Sequence, residues 1–144
     1  MPAINAGRLI GMSAESAIRA YGHAFTQRDL TATVELFTAD GLYEMPLLGQ
    51  RLAGRSEILA GHEQAYRVLE WCAIEILAIQ HTGAVAIAEA RLTAKLHRDP
   101  EPVSFPMAMV LESADSLVGR LSIYLNTNTG RLWFDGPVLA KPRL

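Results

Sequence analysis

The feature that most constrains the fold is a change in hydrophobic periodicity at Trp71. Before it, apolar residues recur about every 3.6 positions, which predicts amphipathic helices. After it, apolar and polar residues alternate, which predicts strands. A chain that passes from helices into a series of strands joined by turns favours an α+β fold with the helices on one face of an antiparallel sheet. We therefore expect three N-terminal helices packed in a curved, mostly antiparallel sheet, which should curl around them into a cone with one open mouth.

Three residues that commonly cap helices mark the predicted helix starts. Ser13 precedes the first apolar stripe, Asp29 the second and Ser56 the third, and each side chain can accept a hydrogen bond from a free backbone N–H. The stripe of the first helix includes Tyr21, and that of the third includes His62. Both polar rings are therefore expected on buried helix faces.

Four long strands are predicted after the change of period, and one short strand before it. The short one contains Leu42 and Tyr43 and should end at Pro46. The long ones cover residues 71–80, 84–97, 103–113 and 117–126. The second long strand is two-faced, with an aliphatic face of Ala86, Ala88, Ala90, Leu92 and Ala94 and a polar face of Glu89, Arg91, Thr93 and Lys95.

The composition narrows the class of partner. The chain of 144 residues suggests one domain over residues 13–144, with residues 1–12 as a flexible extension. A net charge of -2 argues against a nucleic-acid partner, and the apolar stretches are too short for a membrane span. The single cysteine, Cys72, excludes an internal disulfide, and the four scattered histidines offer no metal-ligand spacing. We expect a cytoplasmic protein with no signal peptide, metal or cofactor.

The segment "YGHAFTQRDLTATVELFTADGLYEMP", followed by a glycine and "LAGRSEI", resembles the NTF2-like superfamily. Within it the chain is most similar to the SnoaL-like polyketide cyclases and the ketosteroid isomerases. The shared pattern is an aromatic residue on the first helix, Arg-Asp-Leu opening the second, and an acidic turn before a short strand. A proline and then a glycine that opens the third helix complete it. The resemblance implies a cone-shaped fold with a small-molecule pocket, but the superfamily includes both enzymes and non-catalytic binders.

Carried over residue by residue, the isomerase pattern is only partly present. The tyrosine that donates a hydrogen bond to the forming oxyanion falls on Tyr21. The supporting tyrosine falls on His62. Gly61 beside it replaces a bulky aromatic residue of the isomerases, which should leave room for a ligand or a bridging water. The general base, however, falls on Met45, and the acid of the oxyanion hole falls near Met107. Because methionine neither takes up nor donates a proton, steroid isomerisation by the familiar mechanism is not expected.

Two other mechanisms in the superfamily are also incompletely matched. The cyclases keep an acid–base His and Asp toward the last strand, where this chain has Tyr124 and Asn126. The limonene-type epoxide hydrolases use a carboxylate at the position of Asn126 and an Arg–Asp pair near Met107 and Met109. An asparagine at that position can hold a water molecule but cannot deprotonate it.

The candidate site residues form an apolar group and a polar group. Met45, Phe105, Met107 and Met109 should share the concave face of the sheet, as a ligand pocket or as plain core. Glu44 could point inward through a one-residue slip, or remain a solvated carboxylate at a strand edge. The polar residues of the last strand, which either line a pocket or face water or a partner, are Ser122, Tyr124 and Asn126.

Two functions follow from these candidates, and both involve a small apolar ligand. The first is an isomerase, cyclase or dehydratase that acts on a carbonyl compound, with Tyr21 as oxyanion donor, His62 as its partner or acid–base, and Asn126 and Tyr124 as orienting groups. The second is a non-catalytic binder that has lost the carboxylate at Met45. Tyr21 and His62 should then be hydrogen-bonded beside a cavity, unless each is a core residue bonded to backbone. We also expect a homodimer formed through the outer face of the sheet.

Overall fold

The computed structural model describes residues 12–125, which form three α-helices, one short 3-10 turn and six strands. In chain order the helices are α1 (Ala14–Thr26), α2 (Leu30–Glu35) and α3 (Arg55–Val68). The strands are β1 (Phe37–Met45), β2 (Gln50–Ala53), β3 (Leu69–Thr82), β4 (Val85–Leu96), β5 (Val103–Ala114) and β6 (Leu117–Leu125). The 3-10 turn, Pro46–Leu48, joins β1 to β2. The α+β class predicted from the change of period is therefore confirmed.

Two of the three predicted helix caps are present. The Ser13 hydroxyl accepts a hydrogen bond from the backbone N–H of Ser16, and an Asp29 carboxylate oxygen accepts one from Ala32. The prediction for Ser56 was wrong, because α3 begins at Arg55 and its N-cap is Gly54, with a φ of 84°. Glycine adopts this left-handed backbone without strain. Glu57 in the first turn of α3 accepts a hydrogen bond from the N–H of Ala53, the last residue of β2, at 2.8 Å.

Arg28 joins the turn between α1 and α2 to the end of α3. Its guanidinium donates hydrogen bonds to the carbonyl oxygens of Tyr66 and Leu69, at 2.6 and 3.0 Å, and lies over the Tyr66 ring at 4.9 Å. Carbonyl groups at a helix C-terminus lack intrahelical donors and carry partial negative charge, so a cation there is stabilising. The Arg-Asp pair of the sequence pattern thus stabilises the ends of two helices. Arg28 binds the C-terminal carbonyl groups of α3, and Asp29 caps the N-terminus of α2.

The six strands form one mixed sheet in the order β2-β1-β6-β5-β4-β3. Only β1 and β6 are parallel neighbours among the described strands, and the other pairs are antiparallel. The sequence did not predict β2, whose four residues are too few for a clear alternation. Antiparallel pairing with β1 brings Leu52 opposite Tyr43 and Gln50 opposite Met45.

One face of the sheet, here called the inner face, packs against the helices. The alternating residues of β4 from Ala86 to Leu96 are almost completely buried on it, as the two-faced pattern predicted. Ile74 and Ile76 also lie on this face, because a side chain added to Gly22 of α1 would contact both. The dimer predicted through the outer face was expected to include these two isoleucines, but Ile74 pairs with the buried Leu92 and Ile76 with the buried Ala90, which places both on the inner face.

The opposite, outer face carries exposed apolar and charged side chains together. Leu77 is 55% exposed and Ile87 is 49% exposed, while Glu89 and Arg91 are exposed beside them on β4. At the start of the described chain, Met12 is half-buried and packs against the core, although it was predicted to belong to the extension. The rest of that predicted extension lies outside the described residues.

Candidate functional site

Tyr21 and His62 meet where α1 and α3 face each other. The Tyr21 hydroxyl oxygen lies 2.9 Å from Nε2 of His62, and the two residues are only 1% and 2% exposed. Each occupies the apolar stripe of its own helix, so helical spacing alone turns both rings toward the core. The two side chains were predicted to be within direct or one-water reach, and the structure shows a direct hydrogen bond.

The second ring nitrogen of His62 determines which way this hydrogen bond runs. Nδ1 lies 2.8 Å from the carbonyl oxygen of Ile58, one helical turn earlier. A carbonyl can only accept, so Nδ1 carries the proton and a neutral Nε2 accepts the Tyr21 hydroxyl. Burial lowers the pKa of His62 to about 4, which keeps the ring neutral at physiological pH.

Tyr43 is a third member of the site that the sequence analysis missed. Its ring centroid lies 4.8 Å from that of His62 and 6.1 Å from that of Tyr21. Burial raises the pKa of Tyr43 to about 12. Burial also raises the pKa of Tyr21, and the neighbouring Tyr43 hydroxyl raises it further. The signal was present in β1, because Tyr43 and Met45 are two positions apart and must share a face.

The three rings are held by other aromatic side chains. Phe25 stacks on Tyr21 at 5.9 Å, and Phe37 meets the same ring edge-on at 6.4 Å. Aromatic pairs in these geometries add about 0.5–1.5 kcal/mol to the free energy of the burial itself. The polar pair is therefore fixed in a rigid and apolar environment.

A narrow cleft lies on one side of His62 and opens toward β2. It leaves about 10 Å³ for the centre of a water molecule, which is enough for roughly one water. Its walls are Phe25, Tyr43, Gln50, Leu52, Gly61, His62 and Ala65. The expected cavity thus borders His62, whereas Tyr21 lies behind it and is not part of the wall.

Gly61 does not leave the open space that we had expected beside His62. A Cβ atom at this position would collide with the tip of the Leu52 side chain, which therefore occupies most of the room made by the missing aromatic group. Only the narrow cleft remains. The prediction failed because it depended on β2, which the sequence did not reveal.

The four apolar candidates lie together on the inner face. Met45 is 1% exposed, and the other three belong to the same buried cluster: Phe105, Met107 and Met109. Their arrangement agrees with the predicted shared face. Whether they contact a ligand stays a prediction.

Two polar candidates, Ser122 and Tyr124, lie on the outer face. In β6, Leu121 is opposite the inward-facing Tyr43, so Ser122 and Tyr124 must point to the other side. They therefore share no face with Tyr21, and whether they contact a ligand or a partner stays a prediction. Asn126, the remaining residue of this set, lies outside the described residues.

Glu44 also faces outward, where it forms an ion-pair cluster. One carboxylate oxygen accepts from the Ser122 hydroxyl at 3.2 Å and from Arg120 at 3.4 Å, and the other lies 3.6 Å from Arg51. A second carboxylate, that of Glu112, lies 2.6 Å from Arg120. Glu44 therefore does not replace the base that is missing at Met45, because no slip of β1 turns it inward.

The chemistry available around the pair is that of neutral hydrogen bonds. Among residues 12–125 the buried polar side chains are Thr33, His62 and Ser122, so no carboxylate shares the inner face with the pair in that range. In the same part of the chain, no three His, Cys, Asp or Glu residues are grouped to hold a metal ion. The helices described here are also too short or too polar to cross a membrane.

Residues 18–120 match the SnoaL-like domain family. The chain belongs to that family. No curated protein sequence matches it, but many solved structures share its fold. A protein from Catenulispora acidiphila with a ketosteroid isomerase-like fold, solved with trimethylamine, has a TM-score of 0.76 and 22% identity over 90% of this chain and 100% of its own.

Two further solved structures with a similar fold are of proteins that carry enzyme names. A proposed polyketide cyclase from Pseudomonas putida has a TM-score of 0.74 and 22% identity, covering 82% of this chain and 95% of its own. An LEH-like epoxide hydrolase from M. tuberculosis has a TM-score of 0.69 and 18% identity, covering 94% of this chain and 92% of its own. At these identities the likeness shows a shared NTF2-like fold, as the sequence resemblance implied.

Proposed function

We propose that this SnoaL-like protein binds a small, uncharged and mostly apolar molecule, and that the Tyr21–His62 pair supplies the polar focus of the binding site. The observation that supports the proposal is the hydrogen bond from buried Tyr21 to His62, which itself lines the cleft. Ligand sites commonly combine apolar walls with a few fixed polar groups. Met45, Met107 and Met109 suit such a ligand, because thioether side chains adapt to irregular shapes.

The protonation states favour binding over proton transfer. His62 is a weak base because burial lowers its pKa to about 4, and burial makes Tyr21 a weaker acid than a free phenol. The Tyr21 proton is already donated to His62, so an oxyanion could receive it only if that hydrogen bond broke. A general acid or base works best with a pKa near the working pH, which neither group has.

An enzyme of the isomerase, cyclase or dehydratase type is the second candidate. It is favoured by Tyr43, whose hydroxyl could donate to Tyr21 while Tyr21 donates to His62, so that the three groups share a proton chain. Such a chain would let Tyr43 or Tyr21 turn to a carbonyl substrate without leaving a buried group unpaired. The known names of structural relatives are compatible with this alternative.

Ligand titration followed by two-dimensional NMR tests both candidates. A panel of small cyclic ketones and alcohols should shift the amide signals of Gly61, His62 and Tyr43 in a saturable way, while His62→Leu should abolish this response. The matched control is His23→Leu, which alters an exposed histidine on α1. If the panel shifts no signal around the cleft, the binding proposal is contradicted. Solvent deuterium exchange into a bound ketone would instead support the enzyme.

A further inference from the structure

Gln50 places an amide group in the wall of the cleft beside His62. It begins β2 and is paired with Met45, and the next inward residue of the same strand, Leu52, packs on Gly61. Alternation along β2 sends Arg51 to the outer face, where it meets Glu44. Gln50 therefore points toward α3, and the cleft lies between its side chain and His62.

The Oε1 atom of Gln50 is buried, and no group among residues 12–125 donates a hydrogen bond to it. Buried polar atoms are nearly always paired, and leaving one without a partner costs about 1–3 kcal/mol. Within residues 12–125, the ring of His62 supplies no donor to this oxygen, because the Nδ1–H is held by the Ile58 carbonyl and Nε2 accepts from Tyr21. A water molecule or a ligand that enters the cleft can supply the missing donor.

We propose that Gln50 is a specificity residue that selects ligands carrying a hydroxyl or N–H group. The ligand's donor occupies the space available for one water molecule and donates to Oε1 of Gln50, while its apolar body displaces the partly buried Leu52 side chain. The inference rests on the proposed binding function and adds the ligand class: alcohols, enols or phenols rather than simple ketones. A site with a buried acceptor discriminates against an analogue that leaves it unpaired.

Cyclohexanol and cyclohexanone form a matched pair of probes, because they differ chiefly in the presence of a hydroxyl donor. NMR titration of the full chain should give a dissociation constant for cyclohexanol about 10-fold lower than for cyclohexanone, since each factor of ten corresponds to about 1.4 kcal/mol. In Gln50→Met, which keeps the side-chain length but has no amide, the preference should disappear. Gln50→Glu, whose carboxylate still accepts, should retain it.

The possible failures separate this inference from the proposed function. Equal affinity of the wild-type protein for the two probes, or a preference that persists in Gln50→Met, overturns the role of Gln50 and leaves binding intact. Tighter binding of the ketone overturns it as well, because the amide would then present its N–H group to the ligand. If neither probe shifts any signal of the cleft, the proposed function fails together with the inference.

Discussion

At the scale of single residues, His62 determines what the site can do. Its Nδ1–H is fixed to a backbone carbonyl of its own helix, and its Nε2 accepts the Tyr21 hydroxyl. A protonated ring would have to give up the second interaction, because both nitrogens would then be donors. The same hydrogen bonds that order the pair therefore oppose its use as an acid or base near neutral pH.

The low pKa of His62 makes the stability of the fold depend on pH. In the unfolded chain the ring takes up its proton near pH 6.5, and in the folded protein only near pH 4. Between these values the unfolded state binds more protons, so the free energy of unfolding falls as the pH is lowered, by up to about 3 kcal/mol. Urea denaturation between pH 7.5 and 4 should show this loss. The His62→Gln variant, whose side chain can still accept a hydrogen bond from Tyr21, should lose less stability over the same pH range. The same pH dependence in both proteins would refute the assignment of this loss to His62.

Met45 gives a second prediction at this scale. It is buried in the core, so Met45→Leu should change the free energy of unfolding by less than about 1.5 kcal/mol. Met45→Asp should be much more destabilising at neutral pH, because burial raises the pKa of a carboxyl group and penalises its charged form. Thermal unfolding of both variants measures the difference. Similar stability of the two would mean that water reaches this position.

At the scale of secondary-structure elements, Arg28 links α1, α2 and α3 through a backbone conformation that favours glycine. Its φ is 58°, which costs a non-glycine residue about 1 kcal/mol, yet its side chain holds two carbonyl oxygens near the end of α3. We expect Arg28→Ala to destabilise the fold by about 2 kcal/mol, since it keeps the strain and loses the hydrogen bonds. Arg28→Gly should be less destabilising by about 1 kcal/mol because glycine removes the strain. Chemical denaturation of the two variants compares them, and a glycine variant no more stable than the alanine variant would contradict this account.

The elements also show which parts of the molecule could be predicted from sequence. Caps and apolar stripes are local, so Ser13, Asp29 and the inward rings of Tyr21 and His62 were predictable. The face on which Ser122 lies could not be predicted. Alternation shows which residues of a strand share a face, but not which of the two faces packs against the helices. That choice is made by the pairing of β6 with β1. The size of the cleft likewise depends on β2, whose four residues gave no clear pattern.

At the scale of the whole molecule, the outer face of the sheet favours pairing with a second copy. Leu77 of β3 and Ile87 of β4 are about half-exposed there. The charged residues Glu89 and Arg91 also lie on this face of β4. A two-fold axis near residue 90 would bring each Glu89 to the Arg91 of the other copy, which makes the surface self-complementary. The predicted cone shape and the dimer both stay predictions.

Light scattering at micromolar concentration tests the dimer. The chain has a mass of 15.7 kDa, so the expected particle has about twice that value. Ile87→Lys should shift the mass to that of a monomer, and Glu63→Lys, at an exposed position on α3, is the control that should not. A wild-type protein that scatters as a monomer would contradict the prediction.

The most direct measurement of the central claim is nitrogen NMR of protein labelled only in its histidines, recorded before and during addition of a saturating cyclic alcohol. The free protein should show one neutral histidine with its proton on Nδ1, unchanged from pH 8 to about pH 5 because the pKa of His62 is lowered to about 4. On ligand binding, the Nε2 signal of that ring should shift as its neighbours Tyr21 and Tyr43 adjust. A ligand that binds with saturation yet leaves the His62 ring signals unmoved would show that the pair is only part of the core.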